Sequence, residues 1–351
     1  MYPMEVASYK NYGIPIHSGD SSQTGQARRQ AVAIGNAMEF GEVRLGELAI
    51  IVTEAANNIA AHARSGEIIL SPWIFENSAG IDVFALDRGP GIADIGNAFE
   101  DGYSTAGTAG EGLGAMSRLA GSLQIYSVPG GGTALFARVF RKGSKPENDL
   151  SQYGMGAISV PYPGESVCGD AWSFSQSEAR TVYIVADGLG HGPLAGEASQ
   201  EAIRIFQSIS EQSPERILME IHSGLTRTRG AAVAIAEILH SENVVNYSGA
   251  GNISASIHAA GKTRNMVSMN GTVGHSVAKF HSLTYPWDKD SLLIMHSDGI
   301  TARSGLEQYP GLASRHPALM AAILYRDFRR GSDDVTVLVS RGLAASGGGI
   351  R

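Results

Sequence analysis

The stretch VYIVADGLGHG, Val182 to Gly192, decides how the second half of the chain is read. Val182, Tyr183, Ile184 and Val185 form a short, partly β-branched apolar run, the pattern of a buried strand. Gly188, Gly190 and Gly192 break that strand and let backbone come close to a ligand. Asp187 is therefore expected at a strand end with its carboxylate beside exposed carbonyls, a setting that suits a hard divalent cation. Taken alone, the same residues also describe an aspartate capping a turn.

The pattern recurs. SLLIMHSDGIT, Ser291 to Thr301, repeats an apolar run followed by Asp298 and Gly299. VCGDAWSF, Val167 to Phe174, places Asp170 before an aromatic-rich strand, and SDDVTVLVS, Ser332 to Ser340, opens a last strand with Asp333 and Asp334. Further strands are expected at Ala157–Val160, within Arg229–Ile238, and at Val244–Ile257, which passes through a glycine turn. A helix beginning near Leu194 carries Ala195, Ala198 and Ala202 on its inner face, so it can lie close to a sheet. Jointly, Asp170, Asp187, Asp298 and Asp333 predict strand ends converging on one cation cluster, because gathered carboxylates without Arg or Lys partners repel one another. These segments hold no closely spaced histidine pair, which favours Mg²⁺ or Mn²⁺ over Zn²⁺. Two such ions about 3.5–4 Å apart can hold a hydroxide for in-line attack on phosphorus.

The first half has its own periodicity. In GELAIIVTEAANNIAAHA, Gly46 to Ala63, Leu48, Ile51, Val52, Ala55 and Ile59 recur at helical spacing. Glu54 and Asn58 share a face of that helix, with His62 one turn on. The carboxylate can orient or deprotonate a nucleophile and the amide oxygen can ligate Mg²⁺. A solvated polar stripe is the other reading. In IDVFALDRGPGIADI, Ile81 to Ile95, apolar residues alternate with others up to Leu86, as in a strand, and Asp87 ends it before a Gly89-Pro90-Gly91 turn. An aspartate there can accept a hydrogen bond from an exocyclic amine such as that of adenine. DGYSTAGTAGEGLGAMSRLAG, Asp101 to Gly121, is a glycine-rich loop running into a helix near Leu113, a ready anion site. GGGT, Gly130 to Thr133, closes a final hairpin.

Composition narrows the classes. The length of 351 residues points to two domains, and 43% hydrophobic with 17% charged residues is an ordinary globular balance. A net charge of -7 argues against a nucleic-acid partner. The lone cysteine, Cys168, excludes an intrachain disulfide and fits a reducing compartment. It reads as a small buried filler, and His275 and Trp172 read as packing residues. No signal-peptide h-region or bilayer-length apolar run is visible, so a cytoplasmic protein without a membrane segment is expected. RKGSKPENDLSQ, Arg141 to Gln152, is charged and aperiodic and reads as the boundary.

The four boxes of the first half, in this order, resemble the Bergerat-fold (GHKL) ATPases, and within them the RsbT-like switch serine kinases. Glu54-x-x-x-Asn58 matches the N box, and Asp87 with Gly89 and Gly91 matches the adenine box. Gly110, Gly112, Leu113 and Gly114 match the lid-to-helix segment, and Gly132 with Thr133 the last box. Glu111 departs from that pattern, where a neutral residue is usual. The second-half motifs resemble the SpoIIE/RsbX-like branch of the metal-dependent type 2C (PPM) phosphatases. By that resemblance Asp170, Asp187, Asp298 and Asp333 supply metal carboxylates, Gly188 its carbonyl, and Asp334 an outer contact. His191 is either a proton donor to the leaving serine oxygen or a solvated histidine.

These resemblances imply an α+β protein. Its first domain, 1–143, is a two-layer α/β sandwich with a mixed sheet. A linker at 144–152 leads to a four-layer α-β-β-α phosphatase sandwich at 153–345 and a tail at 346–351. The implied function is a bifunctional partner-switching regulator. One half is an ATP- and Mg²⁺-dependent Ser/Thr kinase with Glu54 as base and Asn58 on Mg²⁺. The other is a Ser/Thr phosphatase with two Mn²⁺ or Mg²⁺ ions, Asp187 and Asp298 being central. The implied partner is an STAS-domain anti-sigma antagonist or a stressosome-like protein, with a homodimer as an admissible assembly. In the alternative the first domain is a non-catalytic, ATP-gated binding module. A histidine-kinase core is the weaker third reading, since no helical hairpin with a phosphoacceptor histidine is expected ahead of Glu54.

Overall fold

Alternating apolar strands and two amphipathic helical runs fold into two separate units, which part near residue 150 of the computed structural model. The structure describes residues 12–17, 21–75, 78–98, 112–144, 154–277, 279–301 and 305–341. Most of the expected linker and the whole expected tail lie outside these residues.

In the first unit β1 (Tyr12–His17) precedes helices α1 (Ser21–Ala37) and α2 (Glu42–His62). Strands β2 (Ser65–Phe75) and β3 (Ser78–Asp87) follow as a hairpin. A short α3 (Ile95–Ala98), α4 (Gly112–Leu119), β4 (Ser122–Ser127) and β5 (Thr133–Phe140) complete it. The sheet order is β1-β2-β3-β5-β4. Helices α1 and α2 bury Ala31, Leu48, Val52, Ala55 and Ile59 against Ile68, Leu70, Ile81, Val83 and Ala137. Burying such a row on one helix face is what makes the long α2 stable in water.

One expectation is corrected here. The sheet is antiparallel at every pairing, not mixed. The crossover through α4 does connect two strands of like direction, but β5 inserts between β3 and β4, so no like-directed strands are neighbours. The strand expected over Ile81–Leu86 is present as part of β3, which is buried from Ser78 to Leu86. Asp82, its polar member, is neutralised in place. Arg138 donates to both of its carboxylate oxygens at 2.7 Å, and Trp73 Nε1 donates to Oδ1 at 3.0 Å.

The second unit is a sandwich of two antiparallel sheets. Its first elements are β6 (Met155–Val160), β7 (Asp170–Gln176), β8 (Arg180–Gly188), α5 (Pro193–Ile209) and α6 (Pro214–Gly224). Then come β9 (Ala231–Leu239), β10 (Val244–Ala250), β11 (Ser254–Ala259), β12 (Lys262–Asn265), and a small β13 (Gly271–Thr272)–β14 (Ser276–Val277) ladder. Strands β15 (Leu283–Pro286) and β16 (Leu292–His296), helix α7 (Pro317–Phe328) and β17 (Val335–Arg341) end it. One sheet runs β15-β10-β9-β8-β7 and the other β12-β11-β16-β17-β6. Helices α5 and α6 cover the first, and α7 packs on β6 and β17 of the second. This is the expected α-β-β-α layering. The segment Val244–Ile257 is not one strand. The turn at Gly251 sends β10 into one sheet and β11 into the other.

Alternation along β8 assigns its two faces. Val182, Ile184 and Ala186 belong to the core beneath α5 and α6. Tyr183 points the other way, its hydroxyl 2.6 Å from Ser340 Oγ of the opposite sheet. Asp187 has the parity of Tyr183 and so lies on the face between the sheets.

Candidate active sites

The carboxylate site follows from strand register. In the β7–β8 pair, Asp170 and Asp187 are directly opposite each other, which puts both side chains on one face a few ångströms apart. In the second sheet β16 ends just before Asp298, and β17 begins just after Asp333 and Asp334. Because β16 and β17 pair antiparallel, those ends coincide. The sandwich brings the two ends together: the charges of Asp170, Asp298, Asp333 and Asp334 all act on Asp187. The four aspartates of the sequence analysis are thus gathered, with Asp334 as a fifth.

Burial and like charge set their electrostatics. Loss of solvent, then the neighbouring carboxylates, push the Asp187 carboxyl well above the usual range. Burial does the same to Asp170, against the Ser297 hydroxyl bonded to it and the nearby Thr336 hydroxyl, which favour its charged form. Asp333, nearer the surface, is raised by burial and by Asp298. Ser297 Oγ donates to Asp170 Oδ2 at 2.6 Å and accepts from Thr336 N at 2.9 Å. Asn252 Nδ2 donates to Asp298 Oδ2 at 2.7 Å, and Tyr162 N donates to Asp334 Oδ1 at 2.9 Å.

Asp170 Oδ1 and Asp334 Oδ2 have no hydrogen-bond partner although both are buried. Buried carboxylate oxygens without donors are costly, and a cation is the partner that fits them. Gly169 leaves room for this, since a Cβ there would stand 2.6 Å from Asp334 Oδ2. Among the described residues, no three His, Cys, Asp or Glu side chains stand close enough to form a ready cage for one ion. The donor set is all oxygen and fits hard cations that fill their remaining places with backbone or water oxygen. Gly188 is held at the strand end by α5, where a Cβ would meet the Ala195 carbonyl oxygen at 2.0 Å.

His191 lies in the loop after β8. Its Nδ1 is 2.9 Å from Glu165 Oε1, and its ring stacks on Tyr162 at 4.4 Å. Cys168 is partly buried, and burial with the Asp170 and Asp334 charges pushes its thiol up, away from nucleophilic use. His275 is solvent-exposed, which corrects its reading as a packing residue; Trp172 is half-buried. Ser297, Asn252, Tyr162 and Glu165 escaped the sequence reading. Ser297 had one signal, its place directly before Asp298.

The first unit holds a second site. Glu54 and Asn58 lie half-buried on one face of α2, opposite the first residue of α4. A Cβ on Gly112 would stand 2.8 Å from Glu54 Oε2 and 3.8 Å from Asn58 Oδ1. Gly114 is buried and Leu113 packs against the core. Gly110 and Glu111 lie outside the described residues. At the end of β3, Asp87 Oδ1 accepts from Gly89 N at 2.7 Å and Thr133 N at 3.2 Å. Gly132 approaches so closely that a Cβ would meet the Asp87 carbonyl oxygen at 2.2 Å. Gly91 turns the chain at φ +75° beneath Val128, where Gly130 N donates to Pro90 O at 2.7 Å. Gly89 lies against Ala63, just past the end of α2, and so ties the Asp87 turn to the helix that carries Asn58. Asp87, Gly89 and Thr133 therefore meet at one end of this helix, and Glu54, Asn58 and Gly112 along its face.

Known proteins match both units. Residues 18–138 match the histidine kinase-like ATPase domain family, and residues 177–342 the Stage II sporulation protein E (SpoIIE) family. The chain is 34% identical over 111 residues to serine/threonine-protein kinase RsbT of Bacillus subtilis (strain 168), a match covering 32% of this chain and 84% of that one. It is 27% identical over 138 residues to phosphoserine phosphatase RsbX of the same organism, covering 39% of this chain and 69% of that one. A solved chain from the bacterial stressosome, a modular system adapted to control secondary messenger signaling, is 26% identical at a TM-score of 0.50, covering 54% of this chain and 98% of that one. Among the described residues no helix is long and apolar enough to cross a membrane. With both units matched, the chain belongs to the family of RsbT-like, histidine kinase-like ATPase domains, here fused to a SpoIIE-type, RsbX-related phosphatase domain.

Proposed function

We propose that the protein is a two-way regulator of one phosphorylation site. Its second unit removes phosphate from Ser or Thr of a partner protein, and its first unit transfers phosphate from ATP. The observation that carries the phosphatase half is the cross-strand pair Asp170–Asp187 with Asp298, Asp333 and Asp334 around it, buried oxygens left unpaired. Asp170, Asp187, Asp298 and Asp333, with the Gly188 carbonyl, would hold Mn²⁺ or Mg²⁺. When bound, such ions supply a nucleophilic hydroxide at neutral pH and neutralise charge on the phosphoryl oxygens. Ser297 fixes one Asp170 oxygen and Asn252 one Asp298 oxygen, so two carboxylates are pre-aimed. His191, held through Nδ1 by Glu165 and stacked on Tyr162, hands a proton to the leaving serine oxygen.

In the first unit Asp87 would accept from the adenine amine, Asn58 would hold Mg²⁺, and Glu54 would serve as base on the accepting hydroxyl. Gly112 at the start of α4 and Thr133 would line the nucleotide. The relatedness to RsbT and RsbX supports an STAS-type antagonist or a stressosome-like protein as the shared substrate. The reading places the protein in the cytoplasm and leaves a homodimer open.

The test is release of phosphate from a phosphorylated STAS protein by the full chain with Mn²⁺. Asp187→Ala and Asp298→Ala are each expected to lower the rate on the order of 10³-fold or more. Release that survives both substitutions would remove the carboxylate assignment. His191→Gln is expected to slow phosphoserine hydrolysis by roughly 10²-fold and p-nitrophenyl phosphate hydrolysis far less, because the nitrophenolate leaves without a proton.

A further inference from the structure

Loop 188–192, which carries His191, is overlaid by a cation that the proposed chemistry has not used. Arg229 sits on a tight turn before β9. There Gly230 N donates to Thr228 Oγ1 at 3.0 Å, and Thr228 Oγ1 donates to Leu225 O at 2.8 Å. The turn is locked to the loop, since Leu189 N donates to Gly230 O at 3.0 Å. One residue on, Gly188 of β8 pairs with Ala231 of β9. The guanidinium lies over Gly190, where a Cβ would stand 3.0 Å from Arg229 Nη1. Gly190 also has φ +87°, so glycine serves both the turn and the arginine's close approach. Arg229 is solvent-exposed, and no carboxylate pairs with it among the described residues.

The electrostatics define its use. A phosphoserine carries about −1.5 to −2 charge and must approach five aspartates on a chain of net charge -7. A guanidinium carried on this held turn offers a planar fork to phosphate oxygens, the geometry that arginine provides and lysine does not. Exposed Leu189 on the same loop, exposed Leu194 at the start of α5 and His275 against Gly230 add a rim beside it. We infer that Arg229 takes the substrate's phosphate group at the lip of the carboxylate centre and sets its affinity. This rests on the phosphatase reading above.

The experiment uses the full chain with Mn²⁺ and two probes, p-nitrophenyl phosphate as substrate and inorganic phosphate as ligand. Arg229→Ala is expected to raise KM and weaken phosphate binding in calorimetry, each about tenfold, with kcat within about threefold. Arg229→Lys should recover only part of the loss. Arg204→Ala removes a remote exposed charge and should change neither quantity. The inference is overturned if Arg229→Ala leaves both within twofold, or if Arg204→Ala does the same damage. Wild-type chain without Mn²⁺-dependent turnover would instead take down the phosphatase reading itself. Melting curves of the variants separate misfolding from lost binding, and Arg229→Lys supplies the second substitution should alanine unfold the turn.

Discussion

Asp82 and Asp170 are both buried strand aspartates, 5% and 3% exposed, yet they are built for opposite purposes. Asp82 faces three donors, two from Arg138 and one from Trp73. Asp170 faces Asp187 across the ladder, accepts from the Ser297 hydroxyl at Oδ2, and leaves Oδ1 without a donor. The first is a closed ion pair within a core. The second is a carboxylate whose complement is not among the described side chains. The contrast teaches where each unit stores its function. The first keeps its buried Asp82 satisfied and presents Glu54 and Asn58 half-buried on α2. The second concentrates unsatisfied charge where two sheets meet, a cost that binding of cations would remove.

The largest effect should come from breaking the closed pair. Asp82→Ala leaves a fully buried guanidinium without its carboxylate and should cost about 3–5 kcal/mol of first-unit stability, read by denaturant unfolding. A loss under about 1 kcal/mol would show that Arg138 finds other partners and would erase the contrast. Next, Asp187→Asn removes one of the crowded charges. Without metal this variant should melt at or above the wild-type temperature. With saturating Mn²⁺ the wild type should gain about 5–10 °C, from roughly 2.7 kcal/mol of linkage at a hundredfold excess over Kd, and the variant far less. A variant that melts well below wild type in EDTA would mean that the cluster stabilises the fold.

Glu54→Ala sharpens the contrast from the other side. If the first unit keeps binding and chemistry on separate residues, phosphate transfer to an STAS protein should fall about 10²-fold while ATP affinity changes less than about threefold. Unchanged transfer would favour the ATP-gated binding module. The smallest effect concerns buried phenols. Tyr183 and Tyr247 are each pushed up to about 12, by burial first and against hydrogen bonds from serines. Their folded values lie above the unfolded value of about 10. They therefore contribute stability that is fully present below pH 10 and lost as pH rises towards 12. Absorbance titration of the wild type against Tyr183→Phe and Tyr247→Phe should show these two phenols ionising near pH 12, and ionisation of either near pH 10 would contradict this.

Much of the second site was legible because each aspartate stands next to its own strand, and strand ends can be read from apolar runs. Less legible was the company they keep. Asn252 and Tyr162 reach Asp298 and Asp334 from distant loops, and no local pattern marks them. In the first unit the ordered boxes located Glu54, Asn58 and Asp87, but the sheet direction was misread, because β5 inserts between β3 and β4 only in three dimensions. Nothing local to Asp82 says that Arg138 will neutralise it.

The sequence by itself determined the two-part α+β organisation, the helix face with Glu54 and Asn58, and the strand-end aspartates, since these depend on residue spacing within single elements. The tertiary structure decided that Asp170 and Asp187 fall in register, that Asp334 is a buried member of the cluster, and that Arg229 lies over Gly190. Those relations depend on pairing and packing between segments remote in the chain, where no periodicity carries the information.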